Sequence, residues 1–435
     1  MKFLLWNISG DFLSIAQRLE KEGYQTYSYY QTPSLVKGRG AGEGIIPLIS
    51  NPYSVLAKES KNDLIILVDD NGYGDNFEYL KKEGWKIIGA SKIGDLIEYD
   101  RSFGMEVFEK VGIPIPKTIE FDDVYDAISF LKEEKEDTRF LVFKGEGVDF
   151  AGSSYSFVAH SKEHMIIYLN DILDKIEKNV IRLEKFILQE KIEGIEVSVA
   201  AYFNGERFID DYLFLDFEEK KIGAYNTGHA VGCMGQVIQI LPAKGNFYFE
   251  NYLKKLEPVL QEYGYVGEWD FNNIYDPITE QFYALEHCPR FGWDSTIGEF
   301  ALKKEGKEIG EFFIKLVNKE PIKNFFYIND KISLTWRLYV NSPDSEAKDI
   351  YGTIVWYDEE LENNFWHYAV SKKDDILIAT DNPFSCFTVV QDTFSYDVNA
   401  SDVLQSEKVL VNNLYYRKDI ATRFPDALQV LPFYK

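Results

Sequence analysis

The sequence predicts a mixed α/β and α+β protein, with an open parallel α/β domain at the N-terminus and a β-rich domain at the C-terminus. Short apolar runs alternate with helical patterns over residues 1–97, both kinds of pattern mix over residues 98–319, and strand patterns dominate residues 320–435. Strands that alternate with helices favour a parallel sheet. A length of 435 residues fits about three domains. We expect these three ranges to be the domains, with a lid subdomain near residues 118–190.

The N-terminal domain begins with the apolar run of residues 2–8, which predicts a first strand. Residues 9–11 (SGD) are expected to supply the N-cap of the following helix, and Gly23 to end it. The apolar runs 64–68 and 86–90 predict two further strands. This predicts a domain that opens with three strands.

Ligands of open parallel sheets bind beyond the carboxyl ends of the strands. Residues 9–11 and 69–74 follow two predicted strands and are therefore the candidate ligand positions. Between them, residues 37–44 (KGRGAGEG) are rich in glycine and basic charge, which predicts a mobile loop.

The central and C-terminal segments combine helices with strands. A helical pattern over residues 99–112 ends at IPIPKT, where prolines break it. Residues 140–145 predict a strand, residues 246–265 a helix, and the runs WDFNNIYD and QFYALEH a hairpin. Strand patterns then lead to a last helix expected at 401–412.

Composition and charge exclude several classes of function. The formal net charge of −24 opposes binding to nucleic-acid phosphates and to anionic lipid. Cys233, Cys288 and Cys386 lie far apart, which argues against disulfides and zinc and for a reducing compartment. No apolar run approaches a membrane span of about 20 residues, and the N-terminus lacks a signal-peptide pattern. We expect a soluble, cytoplasmic protein, and the sequence carries no signal for one oligomeric state.

Two carboxylates on the predicted hairpin form the most informative cluster. Asp270 lies in GEWDFN and Glu286 in ALEHCPRFG, and alternate spacing places Cys288 and Arg290 on the face of Glu286. Neighbouring carboxylates favour a bound cation, and oxygen ligands favour Mg²⁺. Arg290 suits a phosphate or a carboxylate. The alternative is a solvated hairpin with scattered charge.

Lys144 ends an apolar strand immediately before a loop that contains Gly147 and Gly152. A cation beside a glycine loop can cradle polyphosphate, with backbone N–H groups as donors. The alternative is a surface lysine beside a turn.

Two further segments are weaker candidates. QEKIEGIEVSV carries Glu190, Glu193 and Glu196, and it could present its backbone to an adenine and these carboxylates to ribose hydroxyls; the alternative is that they are ordinary surface acids. In AYNTGHAVGCMG, dense glycines around Asn226, Thr227 and Gly228 allow the backbone to approach a ligand closely.

Taken in this order, the segments resemble the ATP-grasp superfamily and, within it, the phosphoribosylamine–glycine ligases. The resemblance covers nearly the whole chain and includes GIPIP, LVFKGEG, LQEKIEGIEVSV, the NTG loop, LEHCPRFG and LYYRKDIATRF. It implies the ATP-grasp fold, with residues 98–319 as the ATP-grasp domain.

The resemblance assigns the nucleotide to one set of residues: Arg101, Lys144, Gly152, Ser153, Glu190, Lys191, Ile192 and Glu196. Lys144 would contact the ATP phosphates, and Arg101 would stand in place of a lysine that contacts the nucleotide. Glu190 and the backbone of the next two residues would meet the adenine, and Glu196 the ribose.

The resemblance also implies a metal site and a reaction centre. Asp270 and Glu286 would hold Mg²⁺, with Mn²⁺ as an alternative. The transferred phosphate and the acyl substrate would meet four residues: Arg290, Asn226, Thr227 and Gly228. The implied function is an Mg-ATP-dependent carboxylate–amine ligase that forms an amide through an acyl phosphate. The implied substrates are glycine or another amino acid, and an amine.

Departures from the family pattern keep two alternatives open. Cys288 replaces a metal-ligand asparagine, Ser153 replaces a lysine of the lid loop, and residues 9–11 lack the family's glycine-rich run. One alternative is a divergent ligase that joins an amino acid to a different amine, such as a modified nucleotide or a peptide. The other is a nucleotide-binding protein without catalytic activity.

Overall fold

The computed structural model describes residues 1–31, 40–135, 139–145, 156–292, 294–342, 350–380, 384–393, 395, 400–404 and 407–434. The chain forms two compact units. The larger unit contains Met1–Gly94, Ser198–Asp270 and Cys288–Lys435, and the smaller contains Asp95–Val197 and Phe271–His287. In the described ranges, no helix combines the length and the apolar character needed to cross a membrane.

The secondary-structure elements are numbered in chain order. The strands are β1 (Lys2–Asn7), β2 (Gln25–Tyr30), β3 (Leu64–Val68), β4 (Lys86–Ile88), β5 (Thr118–Phe121), β6 (Val142–Gly145), β7 (Ser156–Val158), β8 (Phe186–Gln189), β9 (Ile195–Phe203), β10 (Leu213–Glu218), β11 (Lys221–Gly223), β12 (Thr227–Ala230), β13 (Gly235–Leu241), β14 (Gly267–Asp276), β15 (Gln281–Cys288), β16 (Lys331–Val340), β17 (Val355–Tyr357), β18 (Phe365–His367), β19 (Val370–Lys373), β20 (Ile376–Ala379), β21 (Phe384–Asp392), β22 (Val409–Val411) and β23 (Leu414–Tyr415). The helices are α1 (Leu13–Lys21), α2 (Tyr53–Leu56), α3 (Gly74–Lys82), α4 (Lys92–Tyr99), α5 (Arg101–Lys110), α6 (Val124–Glu133), α7 (Lys162–Glu177), α8 (Phe247–Asn251), α9 (Glu257–Glu262), α10 (Ser295–Ala301), α11 (Ile309–Val317), α12 (Ala400–Leu404) and α13 (Phe424–Val430).

The larger unit begins with a parallel sheet of order β2-β1-β3-β4. Side chains of β1 are buried on both faces, with Phe3 and Leu5 in one hydrophobic cluster and Leu4 and Trp6 in another. Burial on both faces explains why β1 and β3 read as continuous apolar runs. The expectation of three strands missed β2, an edge strand whose sequence QTYSYY mixes polar and aromatic residues.

The turn between β1 and α1 corrects one prediction and confirms another. The N-cap position of α1 is Phe12, whose side chain makes no capping bond, so the N-cap expected from residues 9–11 is wrong. The Phe12 amide instead donates to Asn7 Oδ1 at 3.1 Å. Gly23 follows the helix with a φ of +88°, as expected of a C-terminal glycine.

The larger unit also holds an antiparallel sheet, in which β10 pairs with β13, β13 with β16, β16 with β21, and β21 with β18. Its aromatic core includes Phe300, Phe312, Phe313 and Phe326, which lie edge to face or tilted against one another. The abundant phenylalanine of the sequence therefore serves packing here.

Two predicted helices differ from the structure. The helix expected at 401–412 is wrong in its second half, because α12 ends at Leu404 and β22 pairs antiparallel with β17. The helix expected over residues 246–265 is divided into α8, a 3₁₀ turn at Leu253–Leu256, and α9.

The smaller unit contains an antiparallel sheet of order β5-β8-β6-β7. Helices α6 and α7 supply apolar side chains to its core, among them Leu131 and Leu169, which meet Phe143 and Leu188 of the sheet. A parallel sheet, a large antiparallel sheet and this smaller one confirm the predicted mixed architecture. The division into three domains stays a prediction.

Candidate functional site

Lys144 is the central cation of the smaller unit. It lies on β6 between Ile187 of β8 and Ser156 of β7, and its side chain is largely buried. Its Nζ atom donates a hydrogen bond to the Leu285 carbonyl oxygen at 2.9 Å. A lysine head group held inside a protein in this way has lost much of its hydration, so it gains strongly from an incoming anion.

Arg101 supplies a second cation from the start of α5, where the Asp100 carboxylate caps the helix by accepting from the Phe103 amide. Its Nη1 atom lies 3.1 Å from Glu286 Oε2. The other oxygen of Glu286 accepts from Asn272 Nδ2 at 2.7 Å. Glu286 is therefore oriented from both sides.

These groups line one small cleft of the smaller unit: Ile97, Glu98, Arg101, Gly104, Met105, Lys144, Ile187, Leu285, Glu286 and His287. The cleft has a volume of about 10 Å³, room for about one water molecule. The Arg101–Glu286 ion pair lies in its wall, so a larger ligand requires that pair to rearrange. Two cations that converge beside apolar side chains suit a polyphosphate.

His287 connects α5 to β15 and was missed by sequence reasoning. Its ring stacks on Phe108 with 3.5 Å between centroids, and its Nε2 atom lies 3.1 Å from the Gly104 carbonyl oxygen. Burial lowers the pKa of His287 to about 3, so the ring is neutral at neutral pH. Asn272 was also missed, although its alternate-residue spacing from Asp270 was a signal.

In the larger unit, Arg290 lies at the edge of the parallel sheet. Its Nε atom is 3.8 Å from Asp70 Oδ1, and its Nη1 atom donates to the Phe291 carbonyl oxygen at 3.4 Å. Asp70 is the second residue after β3. Arg290 therefore stands beside the carboxyl ends of the parallel strands.

The loop of Asn226, Thr227 and Gly228 is held in an unusual backbone conformation. Tyr225 and Asn226 have φ values of +57° and +60°, in the left-handed region that residues other than glycine rarely adopt. The Tyr225 amide donates to Asp419 Oδ2 at 2.7 Å, and Arg417 Nη1 lies 3.4 Å from Asn226 Oδ1. Arg417 in turn pairs with both oxygens of Asp419, at 2.6 and 2.9 Å. Hydrogen bonds with Arg417 and Asp419 of the C-terminal segment thus hold this loop in place.

A buried acid cluster near Asp270 was not predicted. The Tyr202 hydroxyl lies 2.8 Å from Glu299 Oε2 and 3.3 Å from Glu268 Oε2, and Thr296 Oγ1 donates to Glu268 at 3.1 Å. Burial first, and then the charge of Asp270, raise the pKa of Glu268 to about 8. Burial also raises the pKa of Glu299 well above its usual range. Glu268 is therefore mostly protonated at neutral pH, which lowers the negative charge of this region.

Comparisons with known proteins identify the fold. The family model described as the phosphoribosylglycinamide synthetase, ATP-grasp (A) domain matches residues 99–262. The phosphoribosylamine–glycine ligase of Caldanaerobacter subterraneus is 24% identical over 392 residues, which cover 85% of this chain and 86% of that protein. The crystal structure of phosphoribosylamine–glycine ligase from Thermotoga maritima superposes with a TM-score of 0.73 at 18% identity, over 97% of this chain and 100% of that one.

The chain is therefore similar to phosphoribosylamine–glycine ligases over most of its length, and its residues 99–262 match the ATP-grasp domain of that family. A second solved structure is similar to this chain but is not a phosphoribosylamine–glycine ligase. It is the biotin carboxylase domain of the Hydrogenobacter thermophilus 2-oxoglutarate carboxylase, in complex with ADP, its magnesium salt and bicarbonate. Its TM-score is 0.63 at 14% identity, over 100% of this chain and 99% of that one. These findings confirm the predicted resemblance and the ATP-grasp fold.

The adenine and ribose positions of the ATP-grasp ligase stay predictions. Arg139 Nε lies 3.6 Å from Glu190 Oε1, and the Lys191 amide donates to the Arg139 carbonyl oxygen at 3.0 Å. The Lys191 amide therefore already has an acceptor in this structure. Glu196 lies exposed on β9.

The predicted metal ligands belong to different units, Asp270 to the larger and Glu286 to the smaller, and their pairing stays a prediction. Over the ranges that the structure describes, no group of three or more His, Cys, Asp or Glu side chains is arranged to hold a metal ion. The carboxylate of Glu286, placed beside two cations, is the type of oxygen ligand that Mg²⁺ prefers in a phosphate site. Cys288 is buried, and its thiol is a poor Mg²⁺ ligand. Gly152 and Ser153, predicted in the lid loop, lie outside the described residues.

Proposed function

We propose that this protein joins a carboxylate to an amine at the expense of ATP, through an acyl phosphate. The observation that carries the proposal is the convergence of Lys144, Arg101 and Glu286 on one cleft. Lys144 and Arg101 lie within residues 99–262, which match the ATP-grasp domain. In the first step a carboxylate oxygen attacks the γ-phosphorus and ADP leaves. In the second, the amine nitrogen attacks the acyl carbon, phosphate leaves, and the nitrogen loses a proton.

The nucleotide contacts follow from the positions of the charges. Lys144 and Arg101 would neutralise the phosphates, and arginine and lysine are suited to this because both retain their charge beside an anion. Glu190, with the backbone of Lys191 and Ile192, would receive the adenine. Glu196 would receive the ribose hydroxyls. Release of Arg101 from Glu286 would open the cleft as the nucleotide enters.

When bound, Mg²⁺ would supply positive charge that reduces the phosphate charge met by the attacking carboxylate. Asp270 and Glu286 would hold the ion, with Mn²⁺ as an alternative. The magnesium and ADP of the related carboxylase domain support both cofactors. Because Cys288 replaces an oxygen ligand, we expect a weaker hold on the metal than an asparagine would give.

Arg290 and the loop of Asn226, Thr227 and Gly228 would meet the transferred phosphate and the acyl substrate. The relatives named phosphoribosylamine–glycine ligase make glycine the first carboxylate to test and phosphoribosylamine the first amine. The acyl phosphate must be shielded from water until the amine arrives. The predicted lid residues Gly152 and Ser153 would serve that purpose.

Hydroxylamine trapping tests this proposal. The protein is incubated with Mg-ATP, hydroxylamine and a panel of carboxylates headed by glycine, and ADP and hydroxamate are measured together. We expect both products in equal amounts with at least one carboxylate. ADP without hydroxamate, or neither product despite ATP binding, would contradict the ligase function.

A matched pair of variants assigns the activity to the cleft. Glu286→Gln is expected to lower hydroxamate formation at least about 100-fold, since it removes the charge of the predicted metal ligand. Glu177→Gln is the control, because Glu177 is an exposed acid on α7 of the same unit and does not line the cleft. Equal activity in the two variants would mean that Glu286 holds no metal.

A further inference from the structure

The parallel sheet of the larger unit has a ligand crevice at a position set by its topology. In the order β2-β1-β3-β4, the chain runs from β1 to one side and then returns to β3 on the other. Open α/β sheets bind ligands beyond the carboxyl ends of the strands at such a reversal. In this chain that position lies between the ends of β1 and β3, at residues 8–12 and 69–71.

Residues 8–12 lead into the N-terminus of α1, and the backbone amides of such a turn commonly bind a phosphate. Here Asp69, the residue after β3, occupies those amides. Its Oδ1 atom accepts from the Ile8 amide at 2.6 Å, and its Oδ2 atom accepts from the Gly10 and Asp11 amides at 2.8 and 2.9 Å. Asn7 takes the Phe12 amide at 3.1 Å. Four of the five backbone amides of residues 8–12 therefore already have acceptors.

The charges of the crevice also oppose a phosphate. Asp69 is 1% and Asp11 6% exposed, and Ser9 Oγ bridges them, at 3.1 and 2.6 Å. Burial, followed by the charge of Asp11, raises the pKa of Asp69 to about 6, so Asp69 is still mainly ionised at neutral pH. An incoming phosphate would displace a carboxylate from its amides and meet a second one beside it. Both effects make binding unfavourable.

The crevice lies close to one residue of the proposed reaction centre, Arg290 of the same unit. Arg290, proposed to meet the transferred phosphate, lies 3.8 Å from Asp70, the neighbour of Asp69. In the proposed reaction the amine must reach the acyl phosphate from a position close to Arg290. Within the larger unit, the sheet topology favours the crevice between β1 and β3 as the position of the amine.

We propose that the amine substrate of this ligase carries no phosphate group, because Asp69 occupies the amides that would bind one. The inference rests on the proposed carboxylate–amine ligase activity and narrows its acceptor to unphosphorylated amines. Phosphoribosylamine is then a poor acceptor, although the relatives are named for it.

A binding experiment tests the crevice directly in the full-length protein. Amide resonances of residues 8–12 are followed as ribose 5-phosphate is added, with ribose as the unphosphorylated control. In the wild type we expect no shift with ribose 5-phosphate beyond that seen with ribose. In Asp69→Asn, which removes the charge but keeps an acceptor, ribose 5-phosphate is expected to bind at least about tenfold more tightly than in the wild type. Asp63→Asn is the matched control, because Asp63 is an exposed acid immediately before β3, at the opposite end of that strand from the crevice, and it is expected to leave the wild-type result unchanged.

A turnover experiment tests the substrate class. Amide formation is compared for phosphoribosylamine and ribosylamine, each generated in solution from ammonia and the sugar, with the carboxylate that gives the most hydroxamate. We expect ribosylamine to react at least as fast as phosphoribosylamine in the wild type. Preference for phosphoribosylamine, or a phosphate-dependent shift of the residue 8–12 amides in the wild type, would overturn the inference. The wild-type comparison decides the matter even where Asp69→Asn fails to fold.

The two proposals fail in different ways. Hydroxylamine reacts with an acyl phosphate without the amine site, so absence of hydroxamate contradicts the ligase function itself. Hydroxamate formation together with a preference for phosphoribosylamine contradicts only the inference about the acceptor.

Discussion

At the scale of single residues, Lys144 is placed to determine nucleotide affinity. Its ammonium group is largely buried and bonded to the Leu285 carbonyl oxygen, so replacement by methionine keeps most of the packing and removes the charge. We expect Lys144→Met to weaken Mg-ATP binding about 10- to 100-fold, in line with the loss of one buried charge-assisted contact. Isothermal titration calorimetry measures the affinity. Lys185→Met is the control, because Lys185 is a half-exposed lysine of the same unit paired with Glu120. Equal affinities in the two variants would contradict a phosphate role for Lys144.

His367 makes the stability of the larger unit depend on pH. The ring is buried, with Nε2 3.1 Å from the Tyr357 hydroxyl and Nδ1 3.2 Å from Gln17 Oε1. Burial lowers its pKa to about 4. Three charged side chains also act on the ring: Glu362, which favours its protonation, and Arg18 and Lys21, which oppose it.

The sign of the effect follows from proton binding. Between pH 4 and pH 6.5 the unfolded chain binds the proton and the folded His367 does not, so stability is retained above the ordinary pKa and falls as the pH decreases. The loss between pH 7 and pH 5 is about 2 kcal/mol of unfolding free energy. His367→Gln should remove that part of the loss, as measured by urea unfolding at both pH values. The exposed His229→Gln serves as the control, and a wild-type pH dependence in His367→Gln would contradict the assignment.

Sequence reasoning identified Lys144 and Glu286 because each belongs to a short motif that can be read locally. It did not identify Asn272 or His287, nor that Arg101 pairs with Glu286, because these contacts depend on how α5 packs against β15. The occupation of the Gly10 and Asp11 amides by Asp69 joins residues about 60 positions apart, which no local pattern reveals.

At the scale of elements, the loop of Asn226 depends on the C-terminal segment. Loss of the Asp419 carboxylate frees the Tyr225 amide and allows the left-handed residues to relax. We expect Asp419→Ala to raise the KM for the carboxylate about tenfold while the KM for ATP stays constant. Steady-state kinetics of hydroxamate formation separate the two constants.

Two further variants distinguish positioning from general destabilisation. Asp419→Asn keeps an acceptor for the Tyr225 amide and should recover part of the carboxylate affinity. Arg423→Gln breaks the exposed part of the same network, the pair with Glu219 at 2.6 Å, without touching the loop. If Arg423→Gln raised the KM for the carboxylate as much as Asp419→Ala, the hydrogen bond from the Tyr225 amide to Asp419 would have no specific role in positioning the loop.

The elements that sequence reasoning recovered are those whose pattern is set by burial. Strands β1 and β3 are buried on both faces and read as apolar runs. Edge strand β2 is half-polar and was missed, and residues 409–411 were assigned to a helix because a short apolar run fits either structure. Residues 409–411 form a strand because they pair with β17, about 50 residues away in the sequence.

At the scale of the whole molecule, the two compact units are discontinuous in sequence. The chain passes between them within α4, β9, β14 and β15. Boundaries inferred from composition fall between elements, so a boundary inside a strand leaves no signal in the sequence. The strands after residue 320 also continue the large antiparallel sheet through the pairing of β16 with β13.

The net charge makes salt a stabilising agent for the whole molecule. A formal charge of −24 produces self-repulsion that grows as the chain compacts, while exposed ion pairs such as Lys21–Glu362 contribute little. Raising the salt concentration from about 0.01 to 0.15 M shortens the screening length from about 30 to 8 Å, which weakens this repulsion. We therefore expect NaCl to raise the free energy of unfolding by about 1 kcal/mol at pH 8, measured by urea unfolding. The effect should shrink at pH 6, because the net charge falls toward the isoelectric point near 4.7. A decrease in stability with salt at pH 8 would mean that ion pairs, and not net repulsion, dominate the electrostatics of this fold.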